Sequence, residues 1–462
     1  MTALIPSKNS LSVDCCIVGG GPAGVVLALL LARQGVEVCL LEAHRNFDRE
    51  FRGDMIHSST LEMLDQIGLV DKVLALAPDR VTDFPTHFPD GSVSEPAPWR
   101  LNSKYPFTLF FPQALLLEVL VSEAQKFSNF HLLRGARAEQ LLEHDDLVYG
   151  VRYRDERGSG DVIAELVVGA DGRFSRIRQL ARIPIDTNAQ PMDVLWLRLP
   201  RRASDPPRAR GIYPAARRML VLMDRPDEWQ VGYVFPKGSY QQLRAEGIAA
   251  LRQSIVEIAP WLGDRLELLV DWTQTSLLNV EAGRVRRWFR PGLLLIGDAA
   301  HVMSPVAGVG INYAIQDAIV ASNRLGPRLL GKQVQLADLA AVQRRREWPT
   351  RLMQSIQSAM QRELPSSDGP PAAPPLALRM LERVPLYNEL RTRLIAYGGL
   401  RPERVAPLQP KLRGASRELT PRADAELVEH ALQMVGSGLL SDHQRFGNLP
   451  VGHSASHQAG DV

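Results

Sequence analysis

Gly19, Gly21 and Gly24, in the segment GGGPAG, follow the apolar run 13–18 and open a helical pattern over 22–34. That combination can cradle a phosphate. Gly19 permits the tight turn, Gly21 presents no side chain to a pyrophosphate, and Gly24 lets the helix pack closely on the strand. Amides at the helix start, in the stretch Gly20, Pro22 and Ala23 shares with these glycines, face an anion with the positive end of the helix dipole. Glu42 lies 18 residues beyond Gly24, with Ala43 beside it, at the end of the second apolar run, 36–41. A carboxylate there can accept hydrogen bonds from both ribose hydroxyls of a dinucleotide and repels a 2′-phosphate. FAD and NAD both satisfy this motif.

Two later segments separate the alternatives: VVGADGRFSRIR at 167–178 and LIGDAAHVMSPVAGVGINYAIQDA at 295–318. With GGGPAG they resemble the three fingerprints of the FAD-dependent aromatic hydroxylases, the class A flavoprotein monooxygenases, across residues 13–345. The resemblance implies that Asp298 receives a ribityl hydroxyl of non-covalent FAD and that Asp171 and Gly172 lie near the pyrophosphate. Arg52 then contacts the phosphate or ribityl side, Gln113 lies against the flavin chain, and Ala138 offers backbone atoms to the adenine. Gly308, Val309, Gly310, Ile311 and Asn312 aim amides at the flavin pyrimidine ring, where a helix N-terminus stabilises the negative charge of reduced flavin without a lysine. Pro305 lies near the flavin C4a edge, and His301 orders the loop. His57, in FRGDMIHSST, is a candidate for proton transfer or a surface histidine before a helix.

The activity implied is a single-component monooxygenase. NAD(P)H reduces FAD, O2 adds to give the flavin C4a-hydroperoxide, and an aromatic or quinone-like small molecule is hydroxylated. Arg176 and Arg178 are candidate contacts for a visiting nicotinamide, since no second GxGxxG unit is present. Trp196, Tyr233 and Trp272 either line the substrate cavity or fill the core beneath a sheet. Rival expectations are a reductase or epoxidase of an isoprenoid-type substrate and, outside enzymes, an escort or lipid-binding protein on the same scaffold.

The elements that must position these residues read as α/β. The pattern predicts a Rossmann-like FAD-binding lobe, a three-layer, mostly parallel sheet, from 12–75, 105–185 and 285–345. An interleaved, mainly antiparallel substrate lobe takes 76–104 and 186–284, with strands over 194–199, 219–223, 229–235 and 271–278 around one helix, 239–257. A helix over 59–68 with Ser58 or Ser59 as N-cap, another over 112–127 and another over 311–325 complete the core pattern. C-terminal helices occupy 346–410, interrupted by a proline-rich loop at 365–375, and 411–462 is a partly disordered tail.

With 462 residues, 45% hydrophobic and 23% charged, the chain has ordinary globular composition. A formal charge of +3 gives no reason for a nucleic-acid partner, and Arg201, Arg202, Arg208, Arg210, Arg217 and Arg218 read as a solvated basic face. Arg344, Arg345 and Arg346 likewise read as a helix face. The three cysteines, Cys15, Cys16 and Cys39, show no metal spacing and read as buried strand residues in a reducing compartment. No metal site is expected. No leader pattern and no apolar run near the roughly 20 residues of a membrane span appear, so the expected location is the cytoplasm, with peripheral membrane contact left open. Oligomeric state is not encoded in any of these patterns.

Overall fold

The computed structural model describes residues 10–47, 55–76, 79–94, 101–362, 384–397 and 401–407. Arg52, the 365–375 loop and the expected tail lie outside them. The described residues all fall within one compact unit, Met1–Leu408.

An eight-stranded sheet carries the nucleotide motif. Its path runs Phe289–Arg290, Leu293–Leu295, Gly158–Gly169, Ser10–Val18, Val38–Glu42 and Phe130–Arg134, with Leu147–Asp155 and Arg137–His144 added antiparallel beside Gly158–Gly169. From Leu293–Leu295 to Phe130–Arg134 every pairing is parallel. Strands covered on both faces need continuous apolar sequence, and Cys15, Cys16, Ile17, Leu40, Leu41, Val167 and Val168 are all fully buried. Burial pushes the Cys39 thiol up to about 12 and raises those of Cys15 and Cys16 as well. These thiols are inert packing groups.

Helix Pro22–Gln34 crosses this sheet and packs against helices Gln113–Ala124 and Gly310–Leu330. The last of these begins a residue earlier than the pattern predicts and ends five later, continuing through Pro327. Leu325 and Leu329, at 1% and 0% exposure, are held in the core on either side of that proline, so tertiary burial outweighs the lost backbone hydrogen bond.

The second large sheet has seven strands: Thr275–Leu278, Met192–Pro200, Glu228–Pro236, Arg218–Asp224, Gly211–Ala215, Thr86–His87 and Val93–Ser94. It is antiparallel apart from the Gly211–Ala215 and Thr86–His87 pair. Period-two alternation gives it two apolar faces. Leu195, Leu197, Leu220, Leu222, Val231 and Tyr233 pack with Leu251 and Ile255 on one side. Met192, Val194, Met219 and Val234 face the other, with Trp196, Val221 and Val306.

The single helix expected over 239–257 is two, Tyr240–Glu246 and Ile248–Ile258. Gly247 separates them at φ 89 and ψ 166, which lies far from the helical region. An alanine there meets no neighbouring atom within 4 Å but must adopt a backbone conformation that L-residues avoid. Gly247→Ala is expected to lower stability by about 1–3 kcal/mol in urea titration while leaving FAD affinity unchanged.

Candidate active site

Gly19 sits at φ 109, and a Cβ there would lie 2.5 Å from the Ala170 carbonyl oxygen. At Gly24 an added Cβ would lie 1.9 Å from the Gly19 oxygen, so strand, turn and helix close on one another only with glycine at both places. Gly21 is different. Its nearest neighbour to an added Cβ is 4.0 Å away, leaving open space at the helix N-terminus. The Val25 amide is bonded to the Gly21 oxygen, and the amides of Ala23 and Gly24 precede it with no intrahelical acceptor. Glu42, 1% exposed, accepts from the Gly20 amide at 2.7 Å and the His44 amide at 2.8 Å. Two amides fix its carboxylate beside the turn.

Ala43 is exposed and lines a cleft of about 390 Å³ with Gly135, Arg137, Glu139 and Arg154. Ala138, on the same Arg137–His144 strand, is buried. Gln113 is half-buried and is the first residue of its helix.

Asp171 organises its loop. Its carboxylate accepts from Ser175 Oγ at 2.5 Å and from the Ile177 amide at 2.9 Å, while burial raises its pKa. Gly172 follows at φ 82 with free space around it. Arg178, expected at the surface for a nicotinamide, is instead buried: it donates to the Ala299 oxygen at 3.0 Å and the Arg173 oxygen at 2.9 Å. It ties this loop to the segment carrying Asp298, whereas Arg176 remains exposed.

That segment, Gly297–Ala299, is a single 3-10 turn wedged between the two long helices. A Cβ on Gly297 would lie 3.2 Å from Ala23 Cβ and 3.3 Å from Ala314 Cβ. Asp298 is partly exposed between buried neighbours. Behind it is a network that the motifs did not announce. Asp317 accepts from the Gly297 amide at 2.9 Å and from Arg346 Nε at 2.9 Å, and its Oδ2 lies 2.6 Å from His301 Nε2. Burial pulls the Asp317 pKa upward, but His301 and Arg346 outweigh it and hold the carboxyl below its ordinary range. His301 thus orders the loop as expected of it. Arg346 departs from a solvated helix face: its side chain is 2% exposed, whereas Arg345 pairs with Glu403 at the surface. Asp317 stands inside the 295–318 segment, yet no spacing in the sequence pairs it with Arg346.

Pro305 leads into Val306–Gly308, and Ala307 and Gly308 are both left-handed, at φ 64 and φ 59. The Gly310–Leu330 helix then starts, so the amides of Gly310, Ile311 and Asn312 form its unsatisfied first turn. Val309 is buried beneath them. Met55 packs on Gly308, where an added Cβ would meet its Sδ at 2.6 Å.

His57, not Ser58 or Ser59, precedes the Ser58–Gln66 helix, and both serines are buried inside it. Asn312 Oδ1 accepts from the His57 amide at 3.1 Å and from Thr60 Oγ1 at 2.7 Å, while no side chain among the described residues caps the helix. Asn312 Nδ2 is buried with no partner among the described residues. The His57 ring is fully buried against the backbone of Ala307 and Gly308, and burial lowers its pKa to about 4.

Of the three aromatic candidates, Trp196 alone faces Val306 and the loop. Its indole covers Gly232, where a Cβ would lie 2.9 Å from the ring, and its Nε1 has no partner among the described residues. Tyr233 and Trp272 pack on the opposite face; Tyr233 is 3% exposed with its hydroxyl 2.7 Å from Ser254 Oγ. Alternation along Glu228–Pro236 sends Tyr233 into the core, away from the loop. The basic cluster is largely paired: Arg202 with Asp264, Arg208 with Asp83, Arg210 with Asp79 and Arg218 with Glu257.

The residues present fit FAD. The open cradle at Gly21, the amide-fixed Glu42, the partly exposed Asp298 and the orphaned Asn312 Nδ2 succeed one another along the fingerprints, and the Gly310–Leu330 helix adds an N-terminus with unsatisfied amides.

A histidine protonated in the unfolded chain but held neutral in the folded one makes stability rise with pH. His57 contributes this between pH 6.5 and about 4. Stability is expected to fall by about 3 kcal/mol across that window on acidification. His57→Gln should flatten the slope in urea titrations at pH 7 and pH 5.

Residues 12–355 match the model of the FAD binding domain family. The 6-methylpretetramide 4-monooxygenase of Streptomyces rimosus is 35% identical over 85% of this chain and 94% of its own length. Protoasukamycin 4-monooxygenase of Streptomyces nodosus subsp. asukaensis is 26% identical over 74% of this chain and 87% of its own. The fold matches p-nitrophenol 4-monooxygenase PnpA of Pseudomonas putida DLL-E4 with TM-score 0.68 and 20% identity, covering 86% of this chain and all of that one. With three fingerprints in one cradle and a family match across most of its length, the chain belongs to the FAD binding domain family and is an FAD-dependent monooxygenase.

Proposed function

We propose that the protein hydroxylates a planar aromatic or quinone-like small molecule bound between the Pro305–Gly308 loop and the seven-stranded sheet. The observation that carries this is the half-buried apolar wall opposite the loop: Trp196, Ile212, Val221 and Leu278 gather around Val306. An aromatic face and branched aliphatic side chains suit a flat ring system. The relative named for 6-methylpretetramide makes that compound the first probe.

FAD, when bound, takes a hydride from NAD(P)H and delivers one oxygen atom of O2 to the ring. The chain's own residues do the rest. Gly19, Gly20, Gly21, Pro22, Ala23 and Gly24 hold the pyrophosphate, Glu42 and Ala43 border the adenosine ribose, and Ala138 lies towards the adenine. Asp298 takes a ribityl hydroxyl, with Gln113 alongside; Asp171 and Gly172 shape the loop next to the phosphates. The amides of Gly310, Ile311 and Asn312 stabilise negative charge on the ring as a preorganised set of donors. Val309 and Met55 exclude water behind Gly308, and Pro305 borders the oxygen-transferring edge. His57, buried and held neutral at physiological pH, supports the loop backbone at Ala307 and Gly308. Among the described residues no helix is long and apolar enough to cross a membrane, so the substrate is taken as a dissolved small molecule.

Turnover under 18O2 with NADPH or NADH, using 6-methylpretetramide and a panel of phenols and quinols, tests the reading. Incorporation of one labelled oxygen per NAD(P)H consumed is expected. A product that gains two hydrogens and no oxygen would establish a double-bond reductase, and a colourless protein that takes up no added FAD would establish the escort alternative.

A further inference from the structure

Helix Leu336–Arg362 buries an unusually polar stripe. Gln343, Arg346, Thr350, Gln357 and Gln361 are all at most 8% exposed on the side that also carries Leu339, Val342 and Met353. Arg346 serves Asp317, whereas the glutamines towards the helix end serve the segment 302–306. Gln354 Nε2, beside the stripe, donates to the Gly283 and Val302 oxygens, each at 3.0 Å. Gln357 Nε2 donates to the Ser304 oxygen at 2.9 Å and the Val306 oxygen at 2.8 Å. Gln361 Nε2 donates to Ser304 Oγ, which also accepts the Val306 amide at 3.3 Å. Positions 354, 357 and 361 share one helical face, and together they hold the segment 302–306.

Holding is needed there. The segment leaves the short strand His301–Val302 and reaches Ala307, a non-glycine residue at φ 64, before the Gly310–Leu330 helix begins. Its carbonyls have no sheet partners to satisfy them, and a left-handed alanine persists only where its surroundings over-determine it. Leucine at 357 would pack the helix without burying an amide. The Oε1 atoms of Gln357 and Gln361 have no partner among the described residues, a cost of about 1–3 kcal/mol each that the carbonyl contacts must offset. Since the groups facing Gln357 Nε2 are both carbonyls, only one orientation of that amide is attractive. On the opposite side, His57 and Met55 close the loop against the same helix start.

We propose that Gln357, backed by Gln361, is a positioning residue for the flavin: it fixes the 302–308 loop so that the first-turn amides of the Gly310–Leu330 helix meet the flavin ring in one geometry. This rests on the assignment of that loop to the flavin edge made above. Gln357 touches neither cofactor nor substrate and acts through the loop. Gln343 provides an internal comparison, because it lies on the same stripe but bonds the Arg286 oxygen and the Trp288 amide, away from the loop.

Full-length apoprotein carrying Gln357→Met, Gln361→Met or Gln343→Met would be titrated with FAD, following quenching of flavin fluorescence. The visible circular dichroism and midpoint potential of the bound flavin would be recorded for each. Loss of two modest hydrogen bonds corresponds to about tenfold weaker FAD binding for Gln357→Met. Its reduced-to-oxidised affinity ratio should also fall, because fewer ordered donors face the reduced ring. Gln361→Met should shift both in the same direction by less, and Gln343→Met should stay within twofold of the parent. Parent-like values for Gln357→Met and Gln361→Met would overturn the proposal, as would a Gln343→Met variant as impaired as Gln357→Met, since that would mean general loosening of the helix. If Gln357→Met does not fold, Gln361→Met decides alone. A parent protein that binds no FAD would instead sink the flavin assignment itself and this inference with it.

Discussion

Everything around the candidate site converges on one buried carboxylate. Asp317 has no solvent to ionise into, yet it binds the Gly297 amide, His301 and Arg346 at once. A charge in that position is tolerable only while each partner stays in place; removing one partner of such a pair costs about 3–5 kcal/mol. The consequence is geometric. Gly297 belongs to the turn that offers Asp298, His301 to the strand before the Pro305 loop, and Arg346 to the last long helix. The stretch 297–302 and the last long helix are therefore both locked to the Gly310–Leu330 helix.

Close approach is the second constraint, and it is satisfied with backbone. Gly19 and Gly24 remove side chains so that the strand, the turn and the first helix meet, and Gly297 does the same between the first helix and the Gly310–Leu330 helix. Arg178 then joins the Asp171 loop to the Ala299 carbonyl. The glycine turn, the Asp171 loop and the Gly297–Ala299 turn are thus braced together, whereas Asp298 stays partly exposed and the space at Gly21 open.

How much of this was legible in the chain depended on range. The glycine turn, Glu42 and the first helix are local patterns whose meaning lies within some 25 residues, and the helix is found at the predicted bounds, Pro22–Gln34. Alternation placed Met192–Pro200, Arg218–Asp224 and Glu228–Pro236 to within two residues, but the strand expected over 271–278 begins only at Thr275, after the 3-10 turn Trp272–Gln274, and Gly211–Ala215 was not foreseen. Nor did alternation give the face each residue would present, so Trp196 and Tyr233 looked equivalent until the sheet had sides. Gly247 breaks a helix because of a backbone angle that composition does not reveal. Arg178 and Arg346 looked like surface charges since their partners, Ala299 and Asp317, are distant in sequence. Gln354 and Gln357 were invisible for a similar reason: their partners are main-chain carbonyls, which carry no residue identity at all.

The seven-stranded sheet separates two kinds of change. Leu195, Leu197, Val231 and Tyr233 hold up the molecule from one side, while Val194, Trp196, Val221 and Val234 form the other. Neighbours in sequence therefore pack into different clusters, one against the helix Ile248–Ile258 and one towards Val306. Gly232 leaves room for the indole of Trp196 on the second face, so a side chain there would push the indole towards Val306. A substitution's effect on this plate can therefore be assigned to one cluster or the other from its parity along the strand alone.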